Sequence, residues 1–235
     1  MHTTTVPDDP AAQDDPTAHQ GAAPPRERWA AVGVLAGITG VASIWTSLEV
    51  SAAQGVDAYD DPTVLTQRLA DAVPLLLAFH VTTMVTAVLL VVVAAGLERR
   101  LARALPDSLL PRVAGLGLVL VSVAALLGSG LNTQFVFALG QEEALVPENA
   151  AFYAHWIATI PWLWVGAGIT ALSIAVAALR HRVLPRWLGV ASLVLGGLTL
   201  LLGISPLQYM AGLIGPIWLV VAMVGLLRDG GRVPA

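Results

Sequence analysis

The chain has no cysteine and no lysine. The first absence excludes disulfides, thiol catalysis and cysteine-ligated metals. The second leaves arginine as the only strong base, in twelve copies. Charge is scarce altogether: Asp, Glu and Arg make up 12% of the 235 residues, against about 25% in ordinary soluble domains. What fills the chain is apolar, with 56% hydrophobic residues and a mean hydropathy of +0.75. A soluble domain of this size has nowhere to hide so many long apolar runs. Arginine in place of lysine, with much Ala, Val, Leu and Gly, points to a high-GC bacterial genome.

Residues 1–25 differ from the rest. They carry five prolines and four aspartates and almost no bulky apolar side chain. Such a segment cannot bury enough surface to offset its ordering entropy, so a disordered cytoplasmic tail is predicted. It lacks the basic start and apolar core of a signal peptide. A six-helix membrane domain is predicted over 26–228, and a short cytoplasmic tail over 229–235.

Apolar runs fall at about 29–50, 74–97, 113–139, 152–179, 187–204 and 209–227. At ~1.5 Å per residue, each crosses most or all of a ~30 Å hydrocarbon core. They do not alternate polar with apolar, which argues against barrel strands. The fold class is therefore all-α, a polytopic bundle of six transmembrane helices. The connecting segments alternate in charge. Arg26 and Arg28 precede span one; Arg99, Arg100, Arg103 and Arg112 lie between spans two and three; Arg180, Arg182 and Arg186 lie between four and five; Arg228 and Arg232 follow span six. Opposite them, the first loop holds Asp57, Asp60, Asp61 and Asp71 with Arg68, and the third holds Glu142, Glu143 and Glu148. Eleven of the twelve arginines share one side, and the positive-inside rule makes that side cytoplasmic, with both termini in and a multi-pass cell-membrane location.

An internal repeat is also predicted. Leu110-Pro111-Arg112-x-x-Gly115 opens span three as Leu184-Pro185-Arg186-x-x-Gly189 opens span five. The 23 residues from Pro111 to Gln134 recur from Pro185 to Gln208, and His80 and His155 precede these two helix starts at nearly equal distance. Spans two and three thus read as a duplicated hairpin with spans four and five.

Polar residues within membrane helices are costly and are candidate functional groups. Here they share a depth near the outer face: Glu49, His80, Asn132, Gln134, His155, Gln208 and Tyr209, with Trp45 and Trp156 beside them. One reading is an outward-facing pocket for a small polar molecule or a lipid headgroup, needing no cofactor. The bland alternative is that water and headgroups satisfy these side chains at the interface. A second reading uses His80 and His155 as haem ligands, or adds Glu49 to make a His₂Glu zinc set. No His-x₃-His spacing supports it within one helix. No nucleophile–base pair, Gly-x-Ser-x-Gly elbow or phosphate-cradling loop is recognisable, so a non-enzymatic role is the simpler reading. A third reading is a structural or accessory subunit. Gly33 with Gly37, and Ala36 with Gly40, put a small-residue face on span one for another span, a second copy or a partner subunit. Pro161 and Pro216 are predicted to kink spans four and six. The bilayer is the one partner the composition requires, and nothing points to nucleic acid.

Leu184-Pro185-Arg186-Trp187-Leu188-Gly189, the Gly-rich span after it and Gly215-Pro216-Ile217-Trp218 in the last span resemble an uncharacterised bacterial family of polytopic membrane proteins, classed only as a domain of unknown function. That resemblance implies the six spans and carries over no activity and no site residue. By topology alone, the chain is similar to the substrate-capture subunits of energy-coupling vitamin importers, which implies a site near the outer face.

Overall fold

Every apolar run is built mainly of helix in the computed structural model, which describes residues 28–139 and 147–229. The predicted tails at 1–25 and beyond Asp229, with Glu142 and Glu143, lie outside the described residues. Among the described residues there is no strand. The elements are α1 (Arg28–Gln54), a 3₁₀ turn (Val56–Asp60), α2 (Pro62–Asp71), α3 (Val73–Ala104), α4 (Leu110–Leu139), α5 (Pro147–Thr159), a 3₁₀ turn (Ile160–Trp162), α6 (Val165–Leu179), α7 (Arg186–Ala191), a π turn (Ser192–Gly196), α8 (Gly197–Gly203), a 3₁₀ turn (Gln208–Met210) and α9 (Ala211–Asp229). Among the described residues, six units are long and apolar enough to cross a membrane: α1, α3, α4, the α5–α6 pair, the α7–α8 pair, and α9 with the turn before it.

Neighbours in sequence are neighbours in space. α3 packs on α1 and α4, α6 on α4 and on α7–α8, and α9 closes the ring against α1. The α5–α6 unit is the most enclosed: 67% of its most apolar window is buried, more than in any other span. The composition of α6 explains this. Gly166, Ala167, Gly168, Thr170, Ala171 and Ser173 follow one another closely and are all buried. Side chains this small let two backbones approach, which is how helices associate where lipid is as apolar as leucine. A Cβ on Gly117 of α4 would stand 2.5 Å from the Gly166 carbonyl oxygen, and one on Gly168 would stand 2.7 Å from the Leu200 nitrogen. The Thr170 hydroxyl donates to the Ala114 carbonyl across the first of these contacts at 2.8 Å.

The small-residue face of α1 is used inside the bundle. A Cβ on Gly33 would run into Met223, and one on Gly37 would meet the Pro216 carbonyl at 3.0 Å. The face of α1 left uncovered is instead Leu35, Ile38, Val41, Trp45 and Leu48.

The arginine-bearing helix ends gather at one end of the bundle. Trp29 at the start of α1 packs over Gly96 of α3. Arg100 Nη2 meets Asp229 Oδ2 at 2.5 Å, with the two side chains only 10% and 15% exposed, which ties the end of α3 to the end of α9. α3 runs on to Ala104, well past the apolar stretch, because Leu-Glu-Arg-Arg-Leu-Ala-Arg-Ala consists almost entirely of good helix formers.

Two features depart from the sequence reading. The first loop contains helix α2. Asp61 caps its start by accepting from the Thr63 and Val64 N–H groups at 2.9 and 3.4 Å, with Pro62 in the first turn. Leu65 and Leu69, one turn apart, are fully buried. They join Val50, Leu76, Phe79, Tyr153 and Ile157 in a second apolar cluster at the end away from Arg100 and Asp229, distinct from the main core around Leu90, Leu118, Ile174 and Trp218. Span four is also broken rather than continuous over 152–179: α5 stops at Thr159, and α6 starts at Val165. Pro161 lies in the break, where its missing N–H cannot continue the helix. By contrast, α9 continues through Pro216. The two hairpins expected to be copies accordingly differ in form: α3 and α4 are uninterrupted, whereas spans four and five carry a 3₁₀ and a π turn.

Candidate functional site

The polar residues expected near the outer face fall into two groups. Three meet where α3, α4 and α5 adjoin. Asn132 is fully buried, and its Oδ1 accepts from the Tyr153 hydroxyl at 2.5 Å. Trp156 is half-buried, with Nε1 donating to the Gly128 carbonyl at 3.2 Å. The half-buried His80 places Nδ1 3.4 Å from Thr133 Oγ1. Aromatic rings fill in around them: Phe135 stacks on Tyr153 at 4.4 Å, and Phe152 tilts against Trp156 at 5.9 Å.

The other five face away from the bundle. Glu49 is exposed on the α1 face that also carries Trp45, itself 64% exposed. Gln134 is exposed near Phe137 on α4, and His155 is exposed on the α5 face that carries Phe152. Gln208 and Tyr209 are exposed in the turn before α9. Among the described residues, no three of His, Asp and Glu come together as a metal site, so Glu49, His80 and His155 do not form the His₂Glu set.

A groove lies nearby, where α1 and α2 finish and α3 begins. It encloses about 340 Å³ and is lined by Ala53, Arg68, Asp71, Ala72, Pro74 and Leu75. Arg68 is fixed in place. Its Nη1 and Nη2 meet Asp57 Oδ1 and Oδ2 at 3.0 and 2.7 Å, and Nη1 also donates to the Gln54 carbonyl. Gly55 makes room for this pairing. Its φ of +71° is left-handed, and a Cβ there would collide with the Arg68 guanidinium and stand 2.7 Å from Asp57 Oδ1. A guanidinium has five N–H donors. Three hydrogen bonds occupy one edge, so Nε–H and one Nη2–H remain for a ligand. Glu49 lies one helical turn before Ala53 on the same face of α1. In the sequence Arg68 and Asp71 read only as loop charges. The signal that could have raised them is Arg68 itself, the one arginine on the acidic side of the chain.

The hydrogen bonds from Arg68 hold the Asp57 carboxyl below its ordinary value of 3.8, and Asp57 in turn raises the Arg68 guanidinium. A depressed carboxylate contributes stability that is present above its unfolded pKa and is lost as pH falls through the folded one. The tether is therefore intact at neutral pH and is released only under strongly acidic conditions. Asp57→Asn should reproduce that release at neutral pH. The expected result is faster trypsin cleavage after Arg68 in Asp57→Asn at pH 7 than in the parent; equal rates would show that the pair does not order the segment.

The chain matches no family model, no curated protein and no solved structure.

Proposed function

We propose that this is a multi-pass cell-membrane protein, with both termini cytoplasmic, that binds a small zwitterion bearing a primary amine at its outer face. A phosphoethanolamine headgroup is the lipid form of that chemistry. The observation that carries the reading is the groove itself: one fixed cation, Arg68, and one carboxylate, Asp71, set in an otherwise apolar lining. A phosphate oxygen suits the open edge of Arg68, and an ammonium that donates hydrogen bonds suits Asp71. Glu49 lies one turn from Ala53 of the groove and Trp45 one turn further along α1, where an aromatic side chain suits the membrane interface.

The orientation rests on the arginines. They crowd the end where α3 meets α9, and Arg68 is alone among the acidic groups of the other. Because the chain has no cysteine, single cysteines report on it cleanly. Gln208→Cys should react with a membrane-impermeant maleimide in intact cells, whereas Arg182→Cys should react only after permeabilisation. The reverse pattern would invert the topology. Duplication of spans two and three as four and five rests on the matched Leu-Pro-Arg helix starts, on the nearly equal spacings to His80 and His155 before them and on the equal spacings to Gln134 and Gln208 after them, and the resemblance to an uncharacterised membrane family adds no activity.

The binding test uses the purified full chain in choline-lipid nanodiscs. Glycerophosphoethanolamine should raise its melting temperature more than glycerophosphocholine does, since a quaternary ammonium has no N–H to give. Asp71→Asn should raise the glycerophosphoethanolamine concentration needed for a given shift about tenfold or more, the scale of a charge-assisted hydrogen bond. Equal responses to the two compounds, or an unchanged response in Asp71→Asn, would overturn the reading.

A further inference from the structure

A cavity lies at the break in span four, enclosed by α1, α3, α4 and the turn at Pro161. Ser43, Thr83, Thr86, Ala125, Pro161 and Trp164 are among its walls. It offers about 20 Å³ to the centre of a water-sized sphere, and a water needs roughly 10–15 Å³ by that measure. Its polar lining is unusual in kind. The Thr83 hydroxyl donates to the Phe79 carbonyl at 2.7 Å, which makes Ser43 the donor in the 2.5 Å Ser43–Thr83 pair. The Thr86 proton goes to the Thr82 carbonyl or to Thr39 Oγ1, both at 2.8 Å. The Trp164 indole N–H is committed to the Pro161 carbonyl at 3.0 Å. Every one of these donors is already engaged, so the hydroxyls turn only lone pairs towards the space. They accept hydrogen bonds and offer none.

Unused donors lie along one helix face leading outwards. Ser129 is one turn beyond Ala125 on α4, about 6 Å along the axis, and Asn132 follows one turn later. Both residues are completely buried, and neither Ser129 Oγ nor Asn132 Nδ2 has a hydrogen-bond partner among the described residues. A buried donor without a partner costs about 1–3 kcal/mol, so two on one face call for an acceptor between them. Beyond Asn132, Thr133 and the half-buried His80 reach the outer end. On the other side of the cavity, towards the arginine end, the apolar core around Leu90, Leu118 and Ile174 closes the path.

We infer that a short file of water enters from the outer face along Ser129 and Asn132 and ends at the Pro161 break, as a hydrated blind inlet reaching into the membrane. The donors at its outer part and the acceptors at its inner end give the file one direction of hydrogen bonding. A cation is a poor occupant, because no carboxylate lines the space and its desolvation would go uncompensated.

X-ray hydroxyl-radical labelling of the full chain in nanodiscs tests this, because radicals formed from bound water mark the side chains beside it. Trp164 and Trp218 are equally buried, at 3% and 1% exposed, but only Trp164 lines the inlet. Trp164 should label severalfold faster than Trp218. Equal labelling would overturn the inference. Asn132→Leu, of similar shape, should cut Trp164 labelling severalfold and leave Trp218 unchanged. If Asn132→Leu does not fold, Ser129→Ala, which breaks no side-chain hydrogen bond of the protein, carries the same expectation. Undiminished Trp164 labelling in the folded variant would remove the α4 route.

Discussion

Gly166→Val should leave little folded protein. At this point α4 and α6 cross backbone to backbone, and the Gly117 carbonyl oxygen occupies the place that a Gly166 Cβ needs. Overpacking usually costs about 1–3 kcal/mol because a flexible side chain gives way. Here the obstacle is main chain on both helices, and neither can move without breaking the Thr170–Ala114 hydrogen bond and the packing of α6 against α8. The cost should therefore exceed about 3 kcal/mol. Thermal unfolding followed by size-exclusion elution would show a large fall in melting temperature or loss of the monodisperse peak. Gly197→Ala is the control: its Cβ would meet nothing within 4 Å, and surface changes of this kind stay within about 0.5 kcal/mol. If Gly166→Val were as well folded as Gly197→Ala, α6 would not be the spine of the bundle.

The same crossing marks how far the sequence could be read. The six spans were legible because hydropathy reports depth in a bilayer directly, whereas Pro161 and Pro216 both promised a kink and only Pro161 breaks its helix. Helix α2 went unseen since ten residues carrying few apolar side chains leave no apolar run, although Asp61-Pro62 and the Leu65–Leu69 spacing were both present. Rotation about each helix axis was the harder quantity. A soluble helix declares its buried face through polarity, whereas here both faces are apolar and only neighbours decide which is covered. So Asn132 and Gln134, two residues apart, looked equivalent in sequence, yet one is buried against Tyr153 and the other faces outwards. Likewise, the small residues of α1 promised a close contact without naming α9 as the partner.

The break in span four leads to the second large effect. In a continuous helix the N–H of residue 161 would reach the Ile157 carbonyl, and Pro161 has none to give. The Ser47 hydroxyl on α1 supplies the donor instead, at 2.9 Å in a buried setting. Hydroxyl bonds between membrane helices average only about 0.6 kcal/mol, because an unassembled helix finds other partners within itself. Pro161 removes that alternative here, so Ser47→Ala should cost about 1–3 kcal/mol, the range for an orphaned buried acceptor. Ser51→Ala should cost far less, since Ser51 bonds only to the Ser47 carbonyl of its own helix. The decisive comparison is a double-mutant cycle. In a Pro161→Ala background an N–H is again available to Ile157, and the cost of Ser47→Ala should shrink towards zero. Guanidinium or thermal unfolding of the four proteins measures the coupling. Equal costs in the two backgrounds would mean that Ser47 merely packs beside the break. A large coupling would instead show that α1 holds the α5 half of span four at its hinge, at the level of the cavity and next to the cluster that carries α2 and the groove.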